Sequence, residues 1–137
     1  MKTETIELIE LRPHEEIEPL HLEELREEIR SDKILKKPIV VDKKTMVILD
    51  GHHRFNSFKQ LGLSKIPVYF VDYASSLIKV TGWKDGSRIT KKQVREAGST
   101  GRKLPARTSK HMYLEAGELV HISEIVTNVN VPLENLR

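Results

Sequence analysis

Asp50-Gly51-His52-His53-Arg54 is the densest run of reactive side chains in the 137 residues. It stands where an aliphatic run ends and a helical pattern begins. Such a junction presents free backbone N–H groups and the positive end of a helix dipole, which together suit a phosphate. Arg54 can add a bidentate clamp, and His52 and His53 can donate further hydrogen bonds. Asp50, the one anion in the string, can hold Mg²⁺ against the same phosphates. Taken alone, the string is equally a helix cap with a solvated arginine.

A second group of candidates lies earlier in the chain. Pro13-His14-Glu15 follows the first aliphatic stretch, and a carboxylate there, facing a pocket, could accept a proton from a substrate hydroxyl. Glu16 and Glu18 follow closely, so spacing does not separate Glu15 from an ordinary surface charge. Trp83, the single tryptophan, suits either a core rim or a ligand contact. The loop Arg107-Thr108-Ser109-Lys110-His111 reads as a solvated turn, a nucleic-acid patch or a phosphate cradle, its hydroxyls and imidazole leaning to the last. A zinc centre is disfavoured, because adjacent histidines on a helix point about 100° apart and no cysteine completes a shell.

These residues need elements to hold them. Alternation over Thr5–Leu11 predicts a strand ended by Pro13. Leu22, Leu25 and Ile29 fall at helical spacing and predict a helix over about 19–31. Residues 38–41 and 46–49 read as a hairpin. A helix over 52–61 buries Phe55, Phe58 and Leu61 and closes on Gly62. Strands are expected at 66–71 and 77–83, then a helix over 90–97 with Thr90 as N-cap. Residues 98–110, rich in small, hydroxyl and basic side chains, read as an anion-wrapping loop. The tail from Gly117 carries aliphatics enough to dock, without a clear element. The mixed order implies an α+β fold.

Length and composition bound the rest. At 137 residues with 38% hydrophobic and 5% aromatic residues, one domain with an Ile/Leu/Val core is expected over 1–137. No run is apolar enough to span a bilayer, which favours a cytoplasmic protein. Zero cysteines exclude disulfides, thiolate metal sites and a cysteine nucleophile. Residues 1–30 hold ten Glu against four Lys or Arg, whereas 79–110 hold ten Lys or Arg against Asp85 and Glu96. The basic half fits nucleic acid or the phosphates of a small nucleotide.

Pro13-His14-Glu15, Asp50 to Arg54 after Lys37-Pro38 and a hairpin, Trp83, and Thr108-Ser109-Lys110-His111 stand in an order that resembles the ParB/sulfiredoxin superfamily. Within it the likeness is closest to the archaeal free L-serine kinases. The resemblance covers about residues 5–83 and 105–137. It implies a small mixed sheet with packed helices, and transfer of a phosphoryl group from ATP or ADP, with Mg²⁺, to the hydroxyl of L-serine. It also implies Glu15 as general base, Asp50 beside the reacting phosphoryl or its Mg²⁺, and Gly51, His52, His53 and Arg54 around the phosphates. Trp83, Thr108, Lys110 and His111 would line the amino-acid pocket. The chain departs from that pattern in three places: residues 84–104 replace a much longer segment, Lys110 stands for arginine, and His21 falls where a second glutamate is expected. Sulfiredoxin chemistry is excluded for want of cysteine. The alternative is a ParB-like, nucleotide-dependent DNA-binding protein, although a helix-turn-helix domain would not fit before residue 137. A small-molecule substrate and a nucleotide are therefore the expected partners, ahead of nucleic acid or membrane.

Overall fold

A computed structural model describes residues 3–84 and 87–137; Asp85 of the basic stretch lies outside the described residues. Strand β1 (Thr3–Glu7) gives way to a short 3₁₀ turn at Leu8–Glu10, so the strand expected through Leu11 stops early. Helix α1 (Pro19–Asp32) starts on a proline and buries Leu22 and Ile29. Strands β2 (Ile34–Leu35), β3 (Ile39–Asp42) and β4 (Ile48–Asp50) follow, then helix α2 (His52–Gln60) and strand β5 (Lys65–Val71). Beyond them come β6 (Ile78–Thr81), α3 (Lys91–Thr100), β7 (Lys110–Glu115), β8 (Glu118–His121) and β9 (Val131–Pro132). The fold is mixed α+β.

The central sheet has the order β1-β5-β3-β4, with β3 and β5 parallel and the other pairs antiparallel. Strand β1 is an exposed edge, whereas β3, β4 and β5 are largely buried on both faces, and the period of two divides their side chains between those faces. Ile39, Val41, Ile48, Ile66, Val68 and Phe70 pack with Phe55, Phe58 and Ile29 under the two helices α1 and α2. Val40, Val47, Leu49 and Val71 face the other way, against Tyr73, Ile78, Val94 and Ile122. Full burial of one such aliphatic or aromatic side chain contributes about 1.5–3 kcal/mol.

The second layer corrects two expectations. Residues 98–100, read as the start of a loop, complete α3, whose Thr90 and Gln93 form a capping box. Gly98 is buried there, and a Cβ on it would come within 2.6 Å of Val47 Cγ2. Backbone proximity to the sheet, not turn chemistry, explains this glycine. The tail from Gly117, left without a clear element, supplies β8 and β9: β8 pairs with β7, which joins β6 in a three-stranded antiparallel sheet, and β9 pairs with β2. Strand β6 ends at Thr81, leaving Trp83 just beyond it.

Candidate active site

The segment bearing Glu15 is pinned at both ends by backbone pairing. Arg12 bridges to Val47, and Glu15 bridges to Leu104 through bonds of 2.8 Å from Leu104 N–H to His14 C=O and from Glu16 N–H to Leu104 C=O. The Glu15 carboxylate is therefore held between the two layers and is almost wholly buried. Its Oε1 accepts the Arg107 N–H at 3.0 Å, and its Oε2 accepts the Ser109 N–H at 2.9 Å and the Ser109 hydroxyl. Arg107 adopts the left-handed conformation (φ 59°), a strain of order 1–3 kcal/mol for a non-glycine residue, at the turn that delivers these two amides. Burial works to raise the Glu15 pKa, but hydrogen bonds from His14 and Ser109 outweigh it and hold the carboxyl below its ordinary value. The group stays ionised through neutral pH.

His14 is fully buried beneath it. Its Nδ1 donates to the Ile48 carbonyl at 2.7 Å, and its Nε2 lies 2.9 Å from Ser109 Oγ. Ser109 has one hydroxyl hydrogen, so it can donate to Glu15 only when His14 Nε2 carries a proton and donates in turn.

Across the cleft, Gly51 turns the chain from β4 into α2 with φ +109°, and a Cβ there would strike Ile39 Cγ2 at 2.4 Å. Only glycine fits. No side chain caps α2, so its first-turn amides remain available beside the cleft. His52 and His53 each have one ring nitrogen engaged by the protein, so the phosphate-donor role expected of them falls to Nδ1–H. The His52 Nε2 accepts the His14 N–H at 3.0 Å, and the His53 Nε2 accepts the Glu18 N–H at 2.9 Å. Both rings thus tie the Glu15 segment to the helix that carries them. Burial pushes the His52 pKa well down, and burial followed by the neighbouring His21 lowers that of His53, which keeps these acceptor nitrogens free of protons.

A cleft of about 280 Å³ collects Glu15, Asp50, Gly51, His52, His53 and Trp83 on its walls. Three larger hollows, of about 440, 610 and 680 Å³, lie elsewhere and bring no histidine to their walls. Chemistry, more than size, marks the smaller cleft as the site. Arg54 does not reach it. Its guanidinium donates to the Lys37 and Pro38 carbonyls at 3.2 and 3.0 Å and to Asp50 Oδ2 at 2.9 Å, so it orients Asp50 from behind instead of clamping an anion. Trp83 stands half exposed on the rim, its Nε1 donating to the Ser109 carbonyl at 2.9 Å.

Three expected pocket residues sit outside the cleft wall. The Thr108 hydroxyl is spent within its own turn on the Pro105 carbonyl at 2.6 Å. Lys110 lies against the Trp83 face, with Nζ 5.0 Å from the ring centroid. His111 is buried behind the site, hydrogen-bonded to the Tyr73 hydroxyl at 2.8 Å, and burial, then the nearby His14, lowers its pKa to about 3. In their place the cleft is completed by Ser109, Arg107, Glu16, His121 and His21. Period and spacing could not have picked out Ser109 over Thr108: one residue of a turn decides which hydroxyl faces Glu15.

Among the described residues, no helix is long and apolar enough to cross a membrane. In comparison with known proteins, residues 1–80 match the ParB N-terminal domain family. A "ParB-like protein" of Sulfolobus acidocaldarius is 46% identical over 74 residues, 54% of this chain and 37% of that one. An "ATP-dependent L-serine kinase" of Staphylothermus marinus is 39% identical over 84 residues, 57% and 32% of the two chains. An ADP-dependent L-serine kinase of Thermococcus kodakarensis is 34% identical over 82 residues, 57% and 34% of the two. The chain thus spans about a third of the length of these relatives. Among solved structures, a conserved hypothetical protein from Pyrococcus furiosus aligns with a TM-score of 0.82 at 17% identity, covering 100% of this chain and 98% of the other. A free serine kinase in complex with AMP aligns at 0.81 and 17% identity, covering 98% and 93%. At such identities the likeness is one of fold, and it agrees with the ParB/sulfiredoxin-like architecture. By the match over its first 80 residues, the chain belongs to the ParB N-terminal domain family.

Proposed function

We propose that the chain transfers a phosphoryl group from ATP or ADP to the hydroxyl of free L-serine, giving O-phospho-L-serine. One observation carries the reading: a buried, ionised Glu15 faces a cleft whose floor is the uncapped N-terminus of α2. The names of the kinase relatives support the substrate class. Residues 1–137 then act as one nucleotide-binding unit in the cytoplasm, with 84–104 as its shortened insert.

In this mechanism the amides of the α2 first turn receive the phosphates, where the helix dipole favours negative charge. Glu15 takes the acceptor proton as the serine oxygen forms its bond to the terminal phosphorus and the bridging phosphate oxygen departs with the remaining nucleotide. A carboxylate offers about four lone-pair positions, so the three hydrogen bonds already on Glu15 leave room for a substrate hydroxyl. Its lowered pKa makes it a modest base, which places the weight on orientation of the hydroxyl. Mg²⁺ fits the site: it keeps several waters and takes one or two carboxylates plus phosphates, and Arg54 engages Asp50 Oδ2 while leaving Oδ1 for an ion. Bound there, Mg²⁺ would supply charge neutralisation on the phosphates. Trp83 closes the acceptor side with Lys110 behind it against the indole, and Thr108 and His111 act on it only through the turn and layer behind Ser109.

The test is incubation with ATP or ADP, Mg²⁺ and a panel of free hydroxy amino acids, followed by ³¹P NMR of the products. Glu15→Gln should lose about 10²–10⁴-fold in turnover, and near-wild-type kinetics would remove Glu15 from this role. A second reading, nucleotide-dependent DNA binding, draws on Arg12, Lys44, Lys92 and Arg95 around one hollow remote from the cleft and on the name of the Sulfolobus relative. It predicts duplex affinity that falls steeply with salt and ignores serine.

A further inference from the structure

The histidine pair that matters for metal is not the adjacent one. His53, in the first turn of α2, lies against His21, in the first turn of α1, with ring centroids 4.2 Å apart and planes 30° from parallel. Glu18, the N-cap of α1, completes the group, and one donor atom from each of the three lies within 4.8 Å of the others. Glu18 N–H donates to His53 Nε2 at 2.9 Å, so the loop that offers the carboxylate is anchored to one of the imidazoles, and ion binding requires His53 either to release this amide or to ligate through Nδ1 with loss of its proton. We propose that Glu18, His21 and His53 form a binding site for a borderline divalent metal ion of the Zn²⁺ or Co²⁺ class at the mouth of the cleft, distinct from the oxygen-ligated Mg²⁺ that would accompany the nucleotide.

The donor set decides the class of ion. Two imidazoles and one carboxylate suit Zn²⁺ and Co²⁺, whereas Mg²⁺ prefers oxygen throughout. Three protein ligands with an open position facing a cleft is the arrangement of accessible zinc sites. Zn–N bonds of about 2.0–2.1 Å in a tetrahedron put donor atoms about 3.4 Å apart, so the present separations, up to 4.8 Å, need to shrink by at most about 1.4 Å. Side-chain rotation of the exposed His21 supplies that movement. Two effects oppose the ion: the positive ends of α1 and α2, and Arg107, whose Nε donates to Glu18. The Glu15, Glu16 and Asp50 carboxylates on the same cleft offset them.

The site extends beyond the proposed kinase activity and is tested without it. The full chain, stripped of metal by a chelator, is titrated at neutral pH with Zn²⁺ against a chromophoric chelator in excess Mg²⁺. Titration with Co²⁺ is followed by visible absorption. One ion per chain is expected, with His21→Ala weakening it by more than about tenfold, the lower end of what even an outer-shell partner costs. His121→Ala, on the opposite wall, should leave binding unchanged, and Arg107→Ala should strengthen it. His53 also anchors a backbone amide, so the exposed His21 is the decisive position. Absence of one-to-one binding, or binding indifferent to His21→Ala, overturns the site whatever the outcome of the kinase assay.

Discussion

Lowering the pH from 7 to 5 should destabilise the protein by about 2 kcal/mol through His111 alone. The ring is buried against Tyr73 and His14, with its pKa lowered to about 3 from an ordinary value of 6.5, and its Nδ1 has no hydrogen-bond partner among the described residues. The native state therefore rejects a proton that the unfolded chain accepts. Stability from this group is fully present above pH 6.5, falls as the pH drops below it, and stops falling only near the native value. At pH 5 the loss is RT ln(1 + 10^1.5), about 2 kcal/mol, and it depends on the unfolded pKa as long as the native one lies below 5. Buried His52 acts in the same direction and adds to the loss from a total stability that is typically about 5–15 kcal/mol.

Glu15 acts in another window. Its lowered native pKa contributes stability above its ordinary 4.5, lost only as the pH falls further, which leaves the interval from 7 to 5 to the histidines. The assay is urea unfolding by far-UV circular dichroism at pH 7 and pH 5, for the wild type and for His111→Gln. The glutamine keeps a partner for the Tyr73 hydroxyl and cannot titrate. Its difference between the two pH values should be about 2 kcal/mol smaller than that of the wild type. An unchanged difference would mean that the ring protonates freely in the folded protein, and the reasoning from burial would fail.

Other perturbations separate positioning from packing. Ser109→Ala removes a donor to the Glu15 carboxylate, so its pKa should rise and the acid limb of turnover should move to higher pH; a profile that stays in place would mean the two backbone amides and His14 suffice. Gly98→Ala gains about 1 kcal/mol of helix propensity but drives a Cβ to 2.6 Å from the fully buried Val47, an overpacking cost of about 1–3 kcal/mol, so the melting temperature should drop. Arg54→Ala breaks the hydrogen bonds to Lys37, Pro38 and Asp50 and should cost about 1.5–3 kcal/mol in chemical denaturation. A variant of normal stability that loses only nucleotide affinity would return Arg54 to the phosphates.

Helical spacing located α1 and α2 to within a residue or two, because Leu22, Ile29, Phe55 and Phe58 lie on faces that the sheet covers. The end of α3 was hidden by Gly98, Ser99 and Thr100, whose composition says turn while close packing on Val47 keeps them helical. The β7–β8 hairpin was missed because only one layer covers it, so its burial does not alternate in a recognisable way. Within the site, residue types placed Glu15 and Asp50 to His53 in one neighbourhood, since motif order along the chain survives folding. The direction of each side chain did not follow from type. Arg54 looks like a clamp for anions until the Lys37 and Pro38 carbonyls claim it, and the His21–His53 pair joins residues 32 positions apart that no local pattern relates.

The bonds that orient Glu15 come from Arg107 and Ser109, 92 and 94 residues further along the chain. The turn at Gly51 needs only Ile39 and the strands beside it, the last of which, β5, ends at Val71. Assembly of the site therefore has an order in time: a chain emerging from the ribosome completes the Gly51 turn and its strands more than thirty residues before Arg107 and Ser109 exist. Loop closures of that length form late and cost entropy before any contact repays it. The orientation of Glu15, on which the proposed function rests, is thus a report that the last quarter of the protein has docked.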